Sequence, residues 1–471
     1  MAKLRTLLSW ILLAPSSAGA TTWLVLPDGT GDFPDIQSAV SASADGDEIL
    51  LGDGTFTGPG NWSVNFLGKA ITIRSAGGDP AACVVDPGRS ASAFRFDHFE
   101  GPSSVIADIG IRTNADWGWA VRVWDASPTV RNVVFRFHDA VRSTGGSVRL
   151  EDSVLEDGSN LYFDNGAWPV VTGCVWEPGV LVESRGQVRA YDSHVEFDGC
   201  TGEGGVFVLF NSSGILRGCA LGTSVQASGD GVDLTLQDCD MRGGVRWKGG
   251  RVQLVGDGST LALRDCTIRD GDAGIQLAGD SQATIEGCDI RANLGRGITC
   301  TAGSQVSVRR SLVAGNDGTG AAAFGSATSL TIEDCTIAAN GGPSILGGGL
   351  LVRLGASASL LRTILWGNCA ASGPAAWVEN ATLALDCVNV DPSLVQGGGT
   401  VQIGGELLDA DPRFCDPVEC ALNPSTDGDY ALHRNSAALV QPCGPMGGLG
   451  AGCGFTSVEA ASWGAIKSLY R

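Results

Sequence analysis

A right-handed parallel β-helix, an all-β solenoid with three short strands per coil, is the fold this sequence predicts, and two observations carry the prediction. The first is a repeat. Between Leu261 and Asn368 the chain reads LALRDCTIRDG, ATIEGCDIRANLGRGI, VSVRRSLVAGNDG, LTIEDCTIAANGG and SLLRTILWGN, and one small residue per copy, Cys266, Cys288, Ser311, Cys335 and Thr363, recurs at spacings of 22, 23, 24 and 28 residues. A period of that size is one supersecondary unit per repeat, stacked on its neighbours to bury a shared core. The second observation is a pair of apolar columns. Extended back through Cys239, Cys219, Ser193, Cys174, Ser153 and Val133 and forward to Cys387, the anchor marks twelve rungs. The residue three before it is always apolar, from Val130 to Ala384, and the residue two after it is apolar from Phe135 to Leu365, until Asn389 breaks the run.

Each rung supplies three strands. Ala283 and Ile285 alternate with Thr284 and Glu286, as in a strand with one buried face. A second short strand carries the anchor and its apolar partner. The third opens on glycine, as in Gly274-Ile275-Gln276-Leu277 and Gly297-Ile298-Thr299-Cys300. Parallel stacking advances about 4.8 Å per coil, so twelve rungs give a rod of about 50 Å.

Two files run along this rod. Asn293, Asn316, Asn340 and Asn368 stand five residues after the anchor in four successive coils. Asn tolerates the left-handed conformation of a tight bend and stacked amides hydrogen-bond to one another, so an internal ladder is expected. The anchor file, with Cys239, Cys266, Cys288 and Cys335 among its members, is expected to pack inward as small buried thiols. It offers one thiol per coil and no CxxC pair occurs, which argues against a metal site.

In chain order, residues 1–20 read as an export signal: Lys3 and Arg5, an apolar run from Leu7 to Ala14, and Ala18-Gly19-Ala20. That run is too short to span a bilayer, no later stretch is long and apolar enough, and a secreted or cell-surface protein of bacterial export is expected. Residues 21–60 read as an N-terminal cap. Asp35 caps a short helix with Ile36, Ala39 and Val40 on one face, and a strand follows at Glu48 to Leu51. This stretch resembles the cap of the pectin-lyase-like superfamily, and PDGTGDFPDIQSAV resembles the opening of pectin methylesterases. AITIRSAGGDPAACVVD, Ala70 to Asp86, is similar to first coils of the same superfamily. The resemblance implies the right-handed β-helix fold over residues 61–454. It does not extend to a catalytic set. The Gln and two Asp motifs of the methylesterases are absent, QDCD at Gln237 to Asp240 falling inside a rung, as are the Asp-Asp and Gly-His-Gly strings of polygalacturonases and the Arg-flanked Pro of lyases. The fold hosts many functions.

The middle coils, Phe94 to Trp247, are rich in aromatics and hold His98, His138 and His194. Aromatic faces beside polar groups bind sugar rings, and Trp117, Trp119 and Trp124 are the candidates, although wider coils with larger core residues account for the same letters. Arg136, His138 and Asp139, with Arg122 and Glu151 on neighbouring coils, are the candidates for chemistry, as acid and base in an elimination or a glycosidic hydrolysis. A solvated turn explains the same residues. Asp45-Gly46-Asp47, Asp270-Gly271-Asp272 and Asp427-Gly428-Asp429 offer oxygens to calcium but lack the ligand count of a dedicated site, so no cofactor is expected.

From about 387 to 454 the pattern loosens. Asp411-Pro412-Arg413-Phe414 and Gly428-Asp429-Tyr430-Ala431-Leu432 resemble the closing coil of secreted bacterial β-helix proteins. Cys415, Cys420, Cys443 and Cys453 lie off the ladder, and two disulfides among them, in any of three pairings, are expected. Residues 455–471 form a distinct tail with an amphipathic pattern.

The formal charge of -20, or -22 once Lys3 and Arg5 are removed, argues against nucleic acid and anionic membranes. It also argues against polyanionic glycans unless arginine or calcium lines a local groove. The leading reading is a secreted scaffold that binds carbohydrate or another surface, without an identifiable catalytic motif. The alternative is a polysaccharide lyase or glycoside hydrolase acting on the aromatic middle coils.

Overall fold

A computed structural model describes residues 19–454 apart from 89–91, 114–117, 137–138, 157–158, 178–186 and 243–251. The export segment, apart from Gly19 and Ala20, and the tail lie outside the described residues.

Period-two alternation does what the letters dictate. In Gln282–Glu286 the residues run exposed, buried, exposed, buried, half-buried, and in the parallel partner Gln305–Arg309 the second and fourth residues are again the buried ones, in register. Strands of this kind form a first sheet of 17 parallel strands, from Thr22–Val25 to Thr400–Ile403. A second sheet follows the anchor bend, as at Thr267–Arg269, and a third follows the next bend, as at Ile275–Ala278. The second and third fuse into one hydrogen-bonded array because Thr201–Phe210 and Ala220–Ser228 run through the bend between them without a break. Seventeen strands in the first sheet mean about 17 coils and a rod of roughly 80 Å, longer than the twelve rungs read from the anchor. The extra coils carry other letters at the bend, Asp108-Ile109 for example, and so escape a search for Cys or Ser. One continuous core runs from Val25 to Val390.

The anchor bend is set by the residue before the anchor, which takes a left-handed conformation: Asp238, Asp265 and Asp334 have φ of 53°, 51° and 53°. Asp, Asn and Gly tolerate that region best, which is why the strings DC and GC recur. Two positions of the sequence register are corrected. Ser193 belongs to the other bend, between Gln187–Tyr191 of the third sheet and His194–Asp198 of the first, and Cys200 is the anchor of that coil. Both bends use an Asp or Asn, a small residue and an apolar residue two further on, so the apolar columns could not separate them. In the last full coil Cys387 itself is left-handed, with φ of 53°, and Val388 takes the inward place.

The thiols of Cys239, Cys266, Cys288 and Cys335 are buried and unpaired, each within hydrogen-bonding reach of the carbonyl two residues before it. The four asparagines form a buried chain. Asn293 donates from backbone N and Nδ2 to Asn316 Oδ1 (3.1 and 2.9 Å), Asn316 donates likewise to Asn340 Oδ1 (3.2 and 2.8 Å), and Asn340 to Asn368 Oδ1 (2.9 and 3.1 Å). Glycine makes room for it: a Cβ on Gly297, Gly320 or Gly349 would stand 3.0, 2.9 or 2.8 Å from the neighbouring ladder Nδ2, which accounts for the glycine that opens the third strand.

At the N-terminus the helix Ile36–Ala42 closes the core with Ile36, Ala39 and Val40 fully buried, and Asp35 Oδ1 accepts the Ser38 N–H at 2.7 Å. Of the expected closing coil, about 387–454, the strands Val388–Asn389, Val395–Gln396, Thr400–Ile403 and Leu407–Leu408 continue the solenoid, whereas the rest leaves it. Phe414–Asp416, Asp429–His433 and Ala451–Cys453 make a small sheet that lies as a strap across the outside of the second sheet. Beneath it the outward residues Leu312, Thr336, Ile364 and Asn389 are buried, whereas Val175 in the same file is 37 % exposed. Asn423 Nδ2 latches the strap to the Asn316, Ala339 and Gly341 carbonyls at 3.0, 2.7 and 3.1 Å.

The disulfides differ from the expected pair. There are three, Cys369–Cys420, Cys387–Cys443 and Cys415–Cys453, so only the last joins two of the four candidates. Cys420 and Cys443 instead reach cysteines of the solenoid, because the strap lies against those coils.

Candidate functional site

Parallel register stacks equivalent residues of successive coils, so an outward residue type that recurs becomes a file. On the third sheet Phe94, Val121, Val141, Leu161 and Val188 stack inward. The next residue of each, Arg95, Arg122, Arg142, Tyr162 and Arg189, forms one outward file. A parallel file two residues on holds Trp124, Thr144 and Asp164, followed by Tyr191 and Phe210. The aromatics step along the rod: Trp119 to Tyr162 is 5.8 Å between ring centroids, Tyr162 to Tyr191 5.4 Å and Tyr191 to Phe210 6.1 Å. The Arg142 guanidinium lies over the Tyr162 ring at 4.9 Å.

The charges on this face are only partly neutralised. Arg142 pairs with Asp164 at 2.9 Å, and Arg95 pairs with Asp97. Burial opposes ionisation of Asp97, yet hydrogen bonds from Arg95, Asn65 and His98 outweigh it and hold the carboxyl below its usual range. Arg122 and Arg189 have no ion-pair partner among the described residues. Between Arg95, Arg122, Arg142 and the 56 % exposed Trp124 lies a cleft of about 210 Å³. Guanidinium groups are planar, weakly hydrated and suited to bidentate contact with oxyanions, so this cleft offers anion recognition beside apolar ring faces.

The sequence candidates fall in different places. Trp124 and Trp119 both belong to this face, Trp119 half-buried, while Trp117 lies outside the described residues. Arg136 is on the second sheet and tied to Glu156 at 2.9 Å. Asp139 accepts from Asn160 Nδ2 at 3.0 Å, and His138 lies outside the described residues. Arg122 and Glu151 are on different sheets, the third and the first, so the structure does not bring this set together. Sequence reasoning missed Arg95, Arg142 and Arg189. Their signal was available: FRF, VRV, VRS and VRA place Arg between inward residues of successive third strands.

Elsewhere the surface is less provided for. The first sheet from Thr260 to Thr331 presents a shallow trough of Thr, Gln, Ser and Ala. Asp47 of the first candidate calcium loop is engaged in the turn, Oδ1 accepting Thr21 N at 2.8 Å and Oδ2 accepting Ala44 N at 2.9 Å. Among the described residues no three His, Cys, Asp or Glu side chains are grouped to hold a metal, and no helix is long and apolar enough to cross a membrane.

Residues 178–363 match the family described as "Right handed beta helix region". Among solved structures the chain is similar to a mannuronic acid specific polysaccharide family 6 lyase from human gut microbiota, at 11 % identity over 72 % of this chain and 87 % of that one, with a TM-score of 0.43. It is similar to the tailspike protein 3 of bacteriophage CBA120 at 12 % identity, over 83 % and 61 % of the two chains, TM-score 0.35. It is also similar to pectate lyase Pel9A at 13 % identity, over 92 % and 98 %, TM-score 0.25. No curated protein sequence matches it. With its parallel coils, its stacked asparagines and the matched region, the chain folds as a right-handed parallel β-helix.

Proposed function

We propose that this protein binds an anionic polysaccharide along the outward face of the third sheet, over the middle coils. The observation that carries the reading is the file Arg95, Arg122, Arg142 and Arg189, in register on a chain whose formal charge is -20. A local positive stripe on an acidic protein meets the condition under which a polyanionic glycan becomes an acceptable partner. Trp124, Tyr162 and Tyr191 supply flat apolar area for sugar rings, and the arginines fix the acidic substituents. Arg95, Arg122 and Arg142 stand on three successive coils about 4.8 Å apart, and Arg189 follows after the coil of Tyr162, so an extended chain of acidic sugars lying along the rod meets three cations in step, an aromatic ring and a fourth cation. Binding is preferred to catalysis because Arg136 and Asp139 are held in separate pairs. The three disulfides fit action in an oxidising compartment outside the cytoplasm.

The test is a titration of the protein with polygalacturonate, alginate, a sulfated glycan and a neutral glucan. Saturable binding to the acidic members is expected, weakened about tenfold or more by Arg122→Gln, the loss of one charge-assisted contact. Equal binding of the neutral glucan, or indifference to Arg122→Gln, would sink the assignment. Ultraviolet absorbance of unsaturated uronates, followed in the same samples, would replace binding by elimination.

A further inference from the structure

The strap and the solenoid enclose a cavity that the glycan face does not use. It measures about 490 Å³, within the range of small-molecule sites, and lies between the second sheet and the strap. Trp366 comes from the solenoid, Phe414 and Tyr430 from the strap, and the last two meet edge to face at 5.4 Å. Tyr430 is 2 % exposed, its hydroxyl oxygen lies toward the Val418 backbone, and no acceptor among the described residues meets its O–H. The rim carries Asp411, Glu419 and Arg413, two carboxylates against one guanidinium. The walls are pre-formed: Cys369–Cys420 ties the strap wall to the solenoid wall, and Cys415–Cys453 fixes the residue beside Phe414.

We infer that this cavity binds a small organic cation of the quaternary ammonium type that carries one polar arm. A lining with three aromatic rings suits a cation that is too weakly hydrated to resist leaving water. The rim carboxylates and the surrounding acidic protein favour the same sign. An inorganic cation has no comparable use for the rings, and an anion meets two carboxylates at the entrance. The Tyr430 hydroxyl is the partner for the arm, a hydroxyl or carboxylate. Burial pushes the Tyr430 pKa upward, so the group remains a neutral phenol able to donate. The site is independent of the third-sheet face, and its occupancy neither requires nor excludes a glycan there.

The experiment is calorimetric titration of the whole, disulfide-intact protein with choline, with tetramethylammonium and with 3,3-dimethylbutan-1-ol, the neutral carbon isostere of choline. Choline is expected to bind at one site, at least about tenfold tighter than the isostere, with tetramethylammonium between them for want of an arm. Trp366→Ala is expected to abolish the preference for the cation, and Glu419→Gln, on the exposed rim, to weaken choline several-fold while the far-ultraviolet spectrum and the three disulfides stay intact. The inference is overturned if choline gives no saturable heat or chemical-shift change. It is equally overturned if the isostere binds as tightly as choline, since the cavity would then be merely apolar. Glu419→Gln keeps the question open to refutation should Trp366→Ala fail to fold.

Discussion

At the scale of the residue, the buried amides carry the highest stakes. Asn316 Oδ1 accepts two N–H groups from Asn293, and its own N and Nδ2 serve Asn340, all out of reach of water. An unmet buried donor or acceptor costs more than a met one contributes, so Asn316→Ala is expected to destabilise by about 3 kcal/mol in denaturant unfolding. Asn293→Ala is expected to cost less, because Asn293 Oδ1 accepts only the Gly271 N–H. Asn389 presents the opposite case. It is fully buried under the strap, stacked between Ile364 and Leu408, and neither amide atom has a partner. Asn389→Leu removes those unmet atoms and continues an apolar file, so it is expected to raise stability by about 1 kcal/mol; a lowered midpoint would show that the amide has a role.

At the scale of the element, two attachments decide how the ends behave. At the N-terminal cap, hydrogen bonds from Ala44 N and Thr21 N hold the Asp47 carboxyl below its ordinary pKa. A depressed folded value means that the unfolded chain binds the proton first. The contribution of Asp47 is therefore fully present above about pH 3.9 and lost as pH falls through the lower folded value. Acid titration of the melting temperature is expected to show a loss in that window that Asp47→Asn flattens. At the other end the strap depends on covalent ties. Cys369–Cys420 and Cys387–Cys443 close loops with sequence separations of 51 and 56 residues, each restricting the unfolded chain by on the order of 4 kcal/mol. Mild reduction is expected to expose residues 409–454 to protease while strand content persists. Thiol titration distinguishes the pools: none of the nine free cysteines is expected to react in the native protein, and all nine on denaturation without reductant. Burial alone pushes the Cys300 thiol to about 12, which keeps it unreactive.

At the scale of the whole molecule, net charge and local charge point in opposite directions. A chain of formal charge -20 repels polyanions at long range, whereas the arginine file attracts them at contact. Salt screens the first more effectively than the second, because contact pairs in a cleft are partly desolvated. Binding of an acidic glycan is therefore expected to accelerate when salt rises from low levels, and to weaken only at higher salt. A monotonic fall in the association rate from the lowest salt onward would mean that the stripe, not the net charge, dominates the approach. The solenoid suits such a ligand because its neighbouring coils repeat at a fixed step, so contact along the rod is a sum of similar local contacts.

The sequence by itself determined what depends on neighbours along the chain. Alternation gave the strands, one small residue per copy gave the coils, and Asn at a fixed offset in four copies gave the ladder, because each of these is a local rule repeated in step. Even the arginine file was written locally, in FRF, VRV, VRS and VRA, and needed only the register to be seen as a file. Tertiary structure decided the rest. Ser193 and Cys200 exchange roles because both bends obey the same local chemistry, and only pairing across coils tells them apart. The apolar outward residues Leu312 and Ile364 disclose a covered face but not what covers it. Cys369 and Cys387 look like any other cysteines of the repeat until the strap folds back more than 50 residues to meet them. Long-range contact has no periodicity to betray it, and so the cavity beneath the strap, with walls from two distant parts of the chain, was fixed only when the chain had folded.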